Sequence, residues 1–298
     1  MERFKKLFQT RKEKFENHLS RNVYADFNKS FHKLLAQAVI YSLQAGGKRL
    51  RPVLAISSWL ANSNSKITTD ILDVAVSLES IHTYSLIHDD LPAMDNDDYR
   101  RGKLTCHKKF SESTAILAGD ALNSYGFYKI GTVKNREAVP DLVAILHQGG
   151  GGPGMVSGQI EDLFHENHST RTKKVLHSIH SAKTGALIRS AMLAGNRLRP
   201  DWKKREKYVS LYAEKCGLLF QITDDILDVE GNMKELGKTP GKDARSNKLT
   251  FPALYGMSKT KKLRDELTQE LQDIAVKIES PQEYFFRDLA LYIAERKN

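Results

Sequence analysis

The chain has 298 residues, of which 40% are hydrophobic and 28% charged, and this composition excludes a disordered or fibrous protein. No apolar run approaches the ~20 residues that cross a bilayer, and the charged N-terminus argues against a cleavable secretory signal. The two cysteines, Cys106 and Cys216, lack metal-ligand spacing. We therefore expect a cytoplasmic protein with reduced thiols, whose net charge of +10 favours an acidic partner: nucleic acid, an anionic membrane or a phosphorylated small molecule.

Apolar residues recur at three- and four-residue spacing along most of the chain, which predicts helices. The clearest stripes, in chain order, are Leu34, Leu35, Ala38, Val39 and Leu43; Val53, Ile56, Trp59 and Leu60; Ile71, Val74, Ala75, Leu78 and Ile81; and Tyr208, Leu211, Tyr212, Leu219, Ile222, Ile226 and Val229. Gly46 and Gly47 end the first helix, and Pro52 suits the first turn of the second. Sustained period-two alternation is missing, so the sequence predicts an all-α fold.

A glycine-rich segment at residues 149–154 is the main interruption of this pattern. It contains five glycines and Pro153, and each glycine weakens a helix by roughly 1 kcal/mol relative to alanine. We expect the segment to fray or loop within one domain that covers residues 1–298, since no other Pro/Gly/Ser-rich linker divides the chain.

The aspartates at positions 224, 225 and 228 fall within the longest stripe. Asp224 and Asp228 are four residues apart, so a helix places both carboxylates on one face, about 5–6 Å apart at Cβ. Two anions beside apolar surface need compensation. A divalent cation provides it, and hard oxygen ligands suit Mg²⁺, which commonly bridges carboxylates to substrate phosphates.

The first aspartate cluster along the chain comprises Asp89, Asp90 and Asp95, and the one at positions 224, 225 and 228 is the second. An uninterrupted helix would not place the carboxylates of Asp89 and Asp95 on the same face, and Pro92 opposes such a helix. We expect the helix to end near Leu91 and a turn to bring Asp95 back toward Asp89. A single such cluster is typical of an N-cap or a solvated acidic turn, but two clusters in matching contexts favour metal binding.

Basic residues accompany both clusters. Lys48, Arg49 and Arg51 lie on a glycine-flanked turn before a helix, although the spacing is not that of a P-loop. Arg100 and Arg101 follow the first cluster, and Lys238 follows the second. Each set alone would be an ordinary basic loop or surface ion pair, worth about 0–1 kcal/mol. A shared polyanionic ligand explains the repetition.

These motifs together resemble the trans-isoprenyl diphosphate synthase family, in particular its bacterial farnesyl diphosphate synthase branch. The resemblance runs from residues 46–52 (GGKRLRP) through 85–95 (SLIHDDLPAMD), 117–122 (LAGDAL), 183–187 (KTGAL) and 220–228 (FQITDDILD) to 250–254 (TFPAL). It implies a bundle of antiparallel helices around a central cavity, a homodimer, and prenyl diphosphates as substrates without nucleic acid or membrane insertion.

The resemblance also implies the roles of individual residues. Asp89, Asp90, Asp95, Asp224, Asp225 and Asp228 would bind magnesium, directly or through water, with about three ions when substrate is present. Arg100, Lys183, Thr184, Gln221 and Lys238 would hold the allylic diphosphate, and Lys48, Arg51, His82 and Arg101 would hold isopentenyl diphosphate. Without the resemblance, His82 would be interpreted as an ordinary core histidine and Thr184 as an ordinary helix hydroxyl.

The reaction implied is trans prenyl transfer. Loss of pyrophosphate from the allylic substrate gives a carbocation, the double bond of isopentenyl diphosphate adds to it, and a proton is removed, which released pyrophosphate can accept. Asp89, Asp90, Asp95, Asp224, Asp225 and Lys183 form the catalytic set.

Tyr84 lies about one helical turn before Asp89, where an aromatic side chain in this family is a floor that stops growth at farnesyl diphosphate; simple core packing is the alternative. A geranyl or geranylgeranyl diphosphate synthase and a non-catalytic regulatory homologue remain alternatives for the whole chain.

Overall fold

The computed structural model describes residues 1–63, 65–166, 172–230, 249–280 and 284–296. Its α-helices are α1 (Glu2–His18), α2 (Tyr24–Ser30), α3 (Lys33–Leu43), α4 (Leu50–Leu60), α5 (Thr69–Asp89), α6 (Cys106–Lys109), α7 (Glu112–Gly131), α8 (Val139–Gly150), α9 (Ser157–Glu166), α10 (Lys173–His180), α11 (Ala186–Arg197), α12 (Trp202–Glu230), α13 (Phe251–Tyr255), α14 (Met257–Ala275) and α15 (Phe285–Glu295). Three π-helical turns span Leu19–Val23, Gly152–Val156 and Ser181–Gly185. None of the helices in these ranges combines the length and apolarity that crossing a membrane requires.

Helix α5 lies at the centre of the molecule, where it packs against α4, α7 and α11. Thr68 caps its N-terminus, because the Thr68 hydroxyl accepts the Ile71 N–H at 3.5 Å. Nearly every residue from Ile71 to Tyr84 is buried, including the predicted stripe that ends at Ile81. Burial on all sides fixes α5 rigidly, and its C-terminal end therefore holds the first aspartate cluster in a defined position.

The long helix α12 carries the second aspartate cluster and packs against α11, α14 and α15. Tyr212, Leu219, Ile222 and Ile226 of the predicted stripe are buried. Three other members of that stripe, Tyr208, Leu211 and Val229, are exposed. Burial of α12 runs from Arg205 to Asp228 and also includes Val209, Ala213 and Cys216, so periodicity identified only part of the buried face.

Two local details add to the all-α prediction. A two-stranded antiparallel hairpin joins β1 (Tyr99–Arg100) to β2 (Lys103–Leu104). Its turn residues, Arg101 and Gly102, both have positive φ (53° and 76°), which matches the twist of a tight hairpin. The structure extends α8 through Gly149 and Gly150, so the expected break in the glycine segment begins only at Gly151, whose backbone is extended. Gly154 is also non-helical, within the π-helical turn that follows.

The reason for helical glycines at the end of α8 is tertiary packing. A Cβ atom on Gly149 would lie 2.0 Å from the Ser190 hydroxyl, and one on Gly150 would lie 2.4 Å from Ile81 Cγ2. Contacts this close are open only to glycine, so the packing of α8 on α5 and α11 outweighs the poor helix propensity of the segment.

Arg49 joins four parts of the fold through one buried guanidinium. Its Nη1 contacts Glu79 Oε1 of α5 at 2.5 Å, its Nε contacts Glu16 Oε1 of α1 at 2.7 Å, and its Nη2 donates to the Leu43 carbonyl at the end of α3. The Arg49 backbone is left-handed (φ 52°) immediately before α4. These bonds fix the path of residues 46–52, so Arg49 is a structural residue and does not face a ligand.

Removing Glu79 tests this role. We expect Glu79→Ala to lower the free energy of unfolding by about 3–5 kcal/mol, because it leaves the buried Arg49 charge without its closest partner. Urea unfolding measures the change. The control is Glu266→Ala on α14, which removes an exposed partner of Lys262 and should cost no more than about 0.5 kcal/mol. Equal losses in both variants would contradict the role assigned to Arg49.

Candidate active site

The first aspartate cluster forms a tight turn at the end of α5. The helix ends at Asp89, two residues earlier than expected, and the Asp95 N–H donates to the Asp89 carbonyl at 2.8 Å. The Asp97 N–H donates to the Asp90 carbonyl at 3.2 Å. Asn96 occupies the left-handed position (φ 50°), which asparagine tolerates well. The predicted return of Asp95 toward Asp89 is confirmed.

Asp90 is buried and held by Arg100 of β1. Arg100 Nε lies 2.8 and 2.9 Å from the two Asp90 oxygens, and Nη2 lies 2.6 Å from Oδ1. Desolvation raises the pKa of Asp90, and Arg100 only partly offsets it. The forked geometry fixes Arg100 beside the aspartate turn, so this cation is already in place next to the carboxylates.

Asp89 is the carboxylate most strongly perturbed in this turn. Burial raises its pKa to about 6; Lys183 opposes the shift, whereas the nearby Asp95 charge reinforces it. The raised pKa means that the ionised form lacks full compensation from the protein. A bound cation would supply the missing positive charge.

Arg51, Arg101 and the His82 ring gather on the neighbouring side of α5, whereas Lys48 lies near Asp224 and Arg296, and burial lowers its pKa to about 8. Burial lowers the pKa of Arg51 to about 10, and Arg101 adds to the shift although Glu79 opposes it. Burial also lowers the pKa of His82 well below its usual value, reinforced by Arg51 and Arg101. The His82 ring is therefore neutral at physiological pH. Positive charge here exceeds the available negative charge, as in a site that receives an anion.

The π-helical turn Ser181–Gly185 carries the next two predicted residues. Lys183 Nζ lies 2.5 Å from Asp162 Oδ2 of α9, and the Thr184 hydroxyl donates to Gln221 Oε1 of α12 at 3.2 Å. The extra residue in a π-helical turn changes the direction of its side chains, and such turns are frequent at functional sites. Gln221 Nε2 in turn donates to Asp225 Oδ1 at 2.8 Å. This hydrogen-bond chain connects the turn to the second aspartate cluster.

The three aspartates of the second cluster have different surroundings. Asp225 is buried and also accepts the Phe251 N–H at 2.8 Å, so both of its oxygens are bonded within the protein. Asp228 is buried one turn later. Asp224 is the most exposed, with 43% of its side chain accessible, and its Oδ1 contacts Arg296 Nη2 at 2.6 Å. Among the three, Asp224 is the carboxylate best presented to a ligand.

A cavity of about 320 Å³ brings together part of the predicted site. Its polar lining includes Arg51, His82, Asp89, Lys183 and Thr184. Its apolar lining includes Tyr84, Leu86, Met94, Met155, Val156, Ile160 and Leu163. A cavity with charges on one part of its wall and apolar side chains on another fits a ligand that has an anionic head and a hydrocarbon tail.

The fit to a metal ion depends on donor chemistry. Within the described ranges, no three His, Cys, Asp or Glu residues lie close enough together to form a ready metal site. The carboxylates of Asp89, Asp95 and Asp224 are nevertheless hard oxygen donors of the kind that Mg²⁺ binds alongside substrate phosphates. Lys238, predicted to contact the same ligand, lies outside the described residues.

Three residues of the site were missed by the sequence analysis. Asp162 pairs with Lys183, Arg296 pairs with Asp224 and covers the Phe220 ring at 3.9 Å, and His180 stacks on Phe251, with Nε2 at 3.7 Å from Asp225 Oδ2. Burial lowers the pKa of His180 to about 4. Asp162 lies outside all of the motifs quoted above. The contact of Arg296 joins residues 72 positions apart and has no sequence signature.

Comparison with known proteins first establishes the class: this is an all-α protein of the isoprenoid synthase fold. A geranyltransferase from Helicobacter pylori, solved in complex with magnesium and isoprenyl diphosphate, superposes with a TM-score of 0.82 at 32% identity, covering 96% of this chain and 94% of that one. Residues 32–284 match the polyprenyl synthetase family, so the chain belongs to that family.

Two of the similar proteins are farnesyl diphosphate synthases. A farnesyl diphosphate synthase from Micrococcus luteus is 45% identical over 263 residues, which is 88% of this chain and 89% of that protein. A farnesyl diphosphate synthase from Haemophilus influenzae is 41% identical over 297 residues, or 98% and 99%. The family resemblance and the all-α prediction are both confirmed.

The cation cluster predicts binding of a small polyanion. We expect Arg51→Gln to weaken the binding of inorganic pyrophosphate about tenfold or more in calorimetric titration, since a buried charge-assisted contact is lost. Lys262→Gln on α14 removes an exposed charge and serves as the control. If both substitutions weaken binding equally, net charge alone would explain the affinity and the cluster would not be a site.

Proposed function

We propose that the chain is a trans-prenyltransferase that condenses isopentenyl diphosphate with dimethylallyl and geranyl diphosphate to give farnesyl diphosphate. The observation that carries the proposal is the cavity where Asp89, Lys183 and Arg51 share a wall with apolar side chains such as Met155. The two farnesyl diphosphate synthases described above, similar over most of the chain, support this choice of product. We further propose that residues 1–298 form one polyprenyl synthase domain.

Magnesium is the proposed cofactor, held by Asp89, Asp90 and Asp95 on one side and by Asp224, Asp225 and Asp228 on the other. Support comes from the half-buried carboxylate of Asp89, whose pKa is raised to about 6 by desolvation. Because both Asp225 oxygens bond to Gln221 and Phe251, Asp225 is suited to orienting its neighbours or to contact through water. When bound, magnesium supplies Lewis-acid stabilisation of the departing pyrophosphate.

Arg100, Lys183, Thr184, Gln221 and Lys238 are proposed to hold the allylic diphosphate. Arg100 is fixed by Asp90 and Lys183 by Asp162, so neither cation has to reorganise when negative charge develops on the leaving oxygen. The Thr184 hydroxyl and Gln221 amide are held by their mutual hydrogen bond, and their oxygen dipoles are suited to stabilise the carbocation. In this proposal, fixed positive charges act on the leaving group and neutral dipoles act on the new cation.

Lys48, Arg51, His82 and Arg101 are proposed to hold isopentenyl diphosphate. A neutral His82 donates one hydrogen bond without adding charge, while Arg51 supplies a permanent cation. A bound diphosphate would offset the burial and the repulsion that lower the pKa values of Arg51 and His82. The allylic carbon is attacked by the double bond, and the proton lost from the adduct goes to the released pyrophosphate, so no protein base is required.

A homodimer is the proposed assembly. The outer face of α7 exposes Ile116, Leu117 and Tyr128, with 45%, 59% and 60% of each residue accessible, and Val143 of α8 is also exposed. Apolar side chains grouped on one helix face are typical of a subunit interface. A dimer would bury them.

Incubation with isopentenyl and dimethylallyl diphosphate, with and without Mg²⁺, tests the reaction directly. We expect farnesyl diphosphate only when Mg²⁺ is present, and Asp89→Asn should lower kcat about a hundredfold or more because a ligand that acts in the transition state is lost. Asp265→Asn, at an exposed site on α14, is the matched control. If the unmodified protein forms no prenyl product, the proposal is wrong. If geranyl or geranylgeranyl diphosphate is the main product, the reaction class stands but the product assignment changes.

Arg296 provides a test of the metal proposal that does not depend on turnover. Because its guanidinium lies 2.6 Å from Asp224, removing it should raise the affinity for Mg²⁺ about fivefold in calorimetric titration without substrate. Arg264→Gln, which removes the cation beside Asp265, should leave the affinity unchanged. Weaker Mg²⁺ binding by Arg296→Gln would show that Asp224 needs this arginine rather than competes with it.

A further inference from the structure

The hydroxyl of Tyr84 is bound by the end of a neighbouring helix. Tyr84 Oη donates to the Gly150 carbonyl at 3.1 Å, and Tyr84 is 9% exposed. Gly150 is the last residue of α8, and the final carbonyls of a helix have no donor within the helix. The tyrosine therefore satisfies a buried backbone acceptor. Burial also raises the pKa of Tyr84, so the hydroxyl keeps its proton and remains a donor.

Only glycine at position 150 permits this hydrogen bond at the observed helix separation. A Cβ on residue 150 would lie 2.4 Å from Ile81 Cγ2, well inside contact distance. Ile81 precedes Tyr84 by three residues on α5 and is buried. Any larger residue at 150 would push the end of α8 away from α5, and the Gly150 carbonyl would move out of reach of the Tyr84 hydroxyl.

The Tyr84 ring thus has two fixed points in the cavity wall. Its hydroxyl is held by Gly150, and its ring packs edge-on against His88 with centroids 5.8 Å apart at 74°. Met155, from the π-helical turn that follows α8, lines the same cavity. The end of α8 therefore controls both the position of the ring and the wall beside it.

We propose that Gly150 is a positioning residue that sets product chain length by holding the Tyr84 ring across the path of the growing hydrocarbon tail. This inference rests on the proposed prenyltransferase function. The tail of an allylic diphosphate would meet the Tyr84 ring, which is held in place through its hydroxyl. If the ring rotated away, the buried hydroxyl and the Gly150 carbonyl would both lose their hydrogen-bond partner. The length limit then depends on helix separation as well as on the size of residue 84.

Product chromatography on two variants tests the inference. Gly150→Ala separates the helices, and Tyr84→Phe keeps the ring but removes the hydroxyl. In each, we expect the ratio of geranylgeranyl to farnesyl diphosphate to rise about tenfold, equivalent to about 1.4 kcal/mol and of the order of one buried hydrogen bond. Gly152→Ala, in the same glycine run but with open space around its Cβ, should leave the ratio unchanged.

The ratio distinguishes this role from general damage, because loss of stability lowers both products together. Farnesyl diphosphate supplied as the allylic primer gives a second readout: its kcat/KM should rise in both variants. Unchanged ratios in Gly150→Ala and Tyr84→Phe, with longer products only from Tyr84→Ala, would overturn the role of Gly150 and leave the ring alone as the barrier. If the unmodified protein forms no prenyl product, the proposed function itself has failed.

Discussion

The buried guanidinium of Arg49 is the interaction on which the cationic side of the site depends. Transferring such a charge into the interior is costly, and its contacts with Glu79 and Glu16 offset that cost only because α1, α4 and α5 meet around it. The same contacts fix a left-handed residue between Lys48 and Arg51. A structural ion pair therefore determines where two cations proposed to bind a ligand are presented, although Arg49 itself faces the core.

The site pairs some of its charges, such as Asp90 with Arg100 and Lys183 with Asp162, and keeps others apart. Burial raises the pKa of Asp89 on one side, and burial together with neighbouring arginines lowers those of Arg51 and His82 on the other. Each shift means that the charged form is less stable than in water. A protein selected for stability alone would pair these groups with one another. Keeping them apart preserves their charge for a cation on one side and a diphosphate on the other, at a cost in folding free energy.

Much of this arrangement was predictable from local sequence, and the rest required long-range contacts. Pro92 correctly indicated the aspartate turn, since proline restricts the backbone wherever it occurs. The pairing of Arg296 with Asp224 depends on where the last helix packs, which no local pattern encodes. The point where the helix breaks in the glycine run was missed for the same reason: intrinsic propensity describes an isolated helix, whereas contacts with Ile81 and Ser190 keep Gly149 and Gly150 helical in the folded chain.

The same glycine run influences the proposed control of product chain length. A floor made by one aromatic side chain would depend only on the volume of that residue. Here the Tyr84 ring is held through its hydroxyl by a backbone carbonyl on another helix, so its position depends on how closely α8 approaches α5. That close approach is possible because Gly150 has no side chain. A substitution at Gly150 can therefore change the cavity depth although Gly150 does not line the cavity. Because the interior is closely packed, a shift of α8 against α5 also moves the side chains that contact both helices.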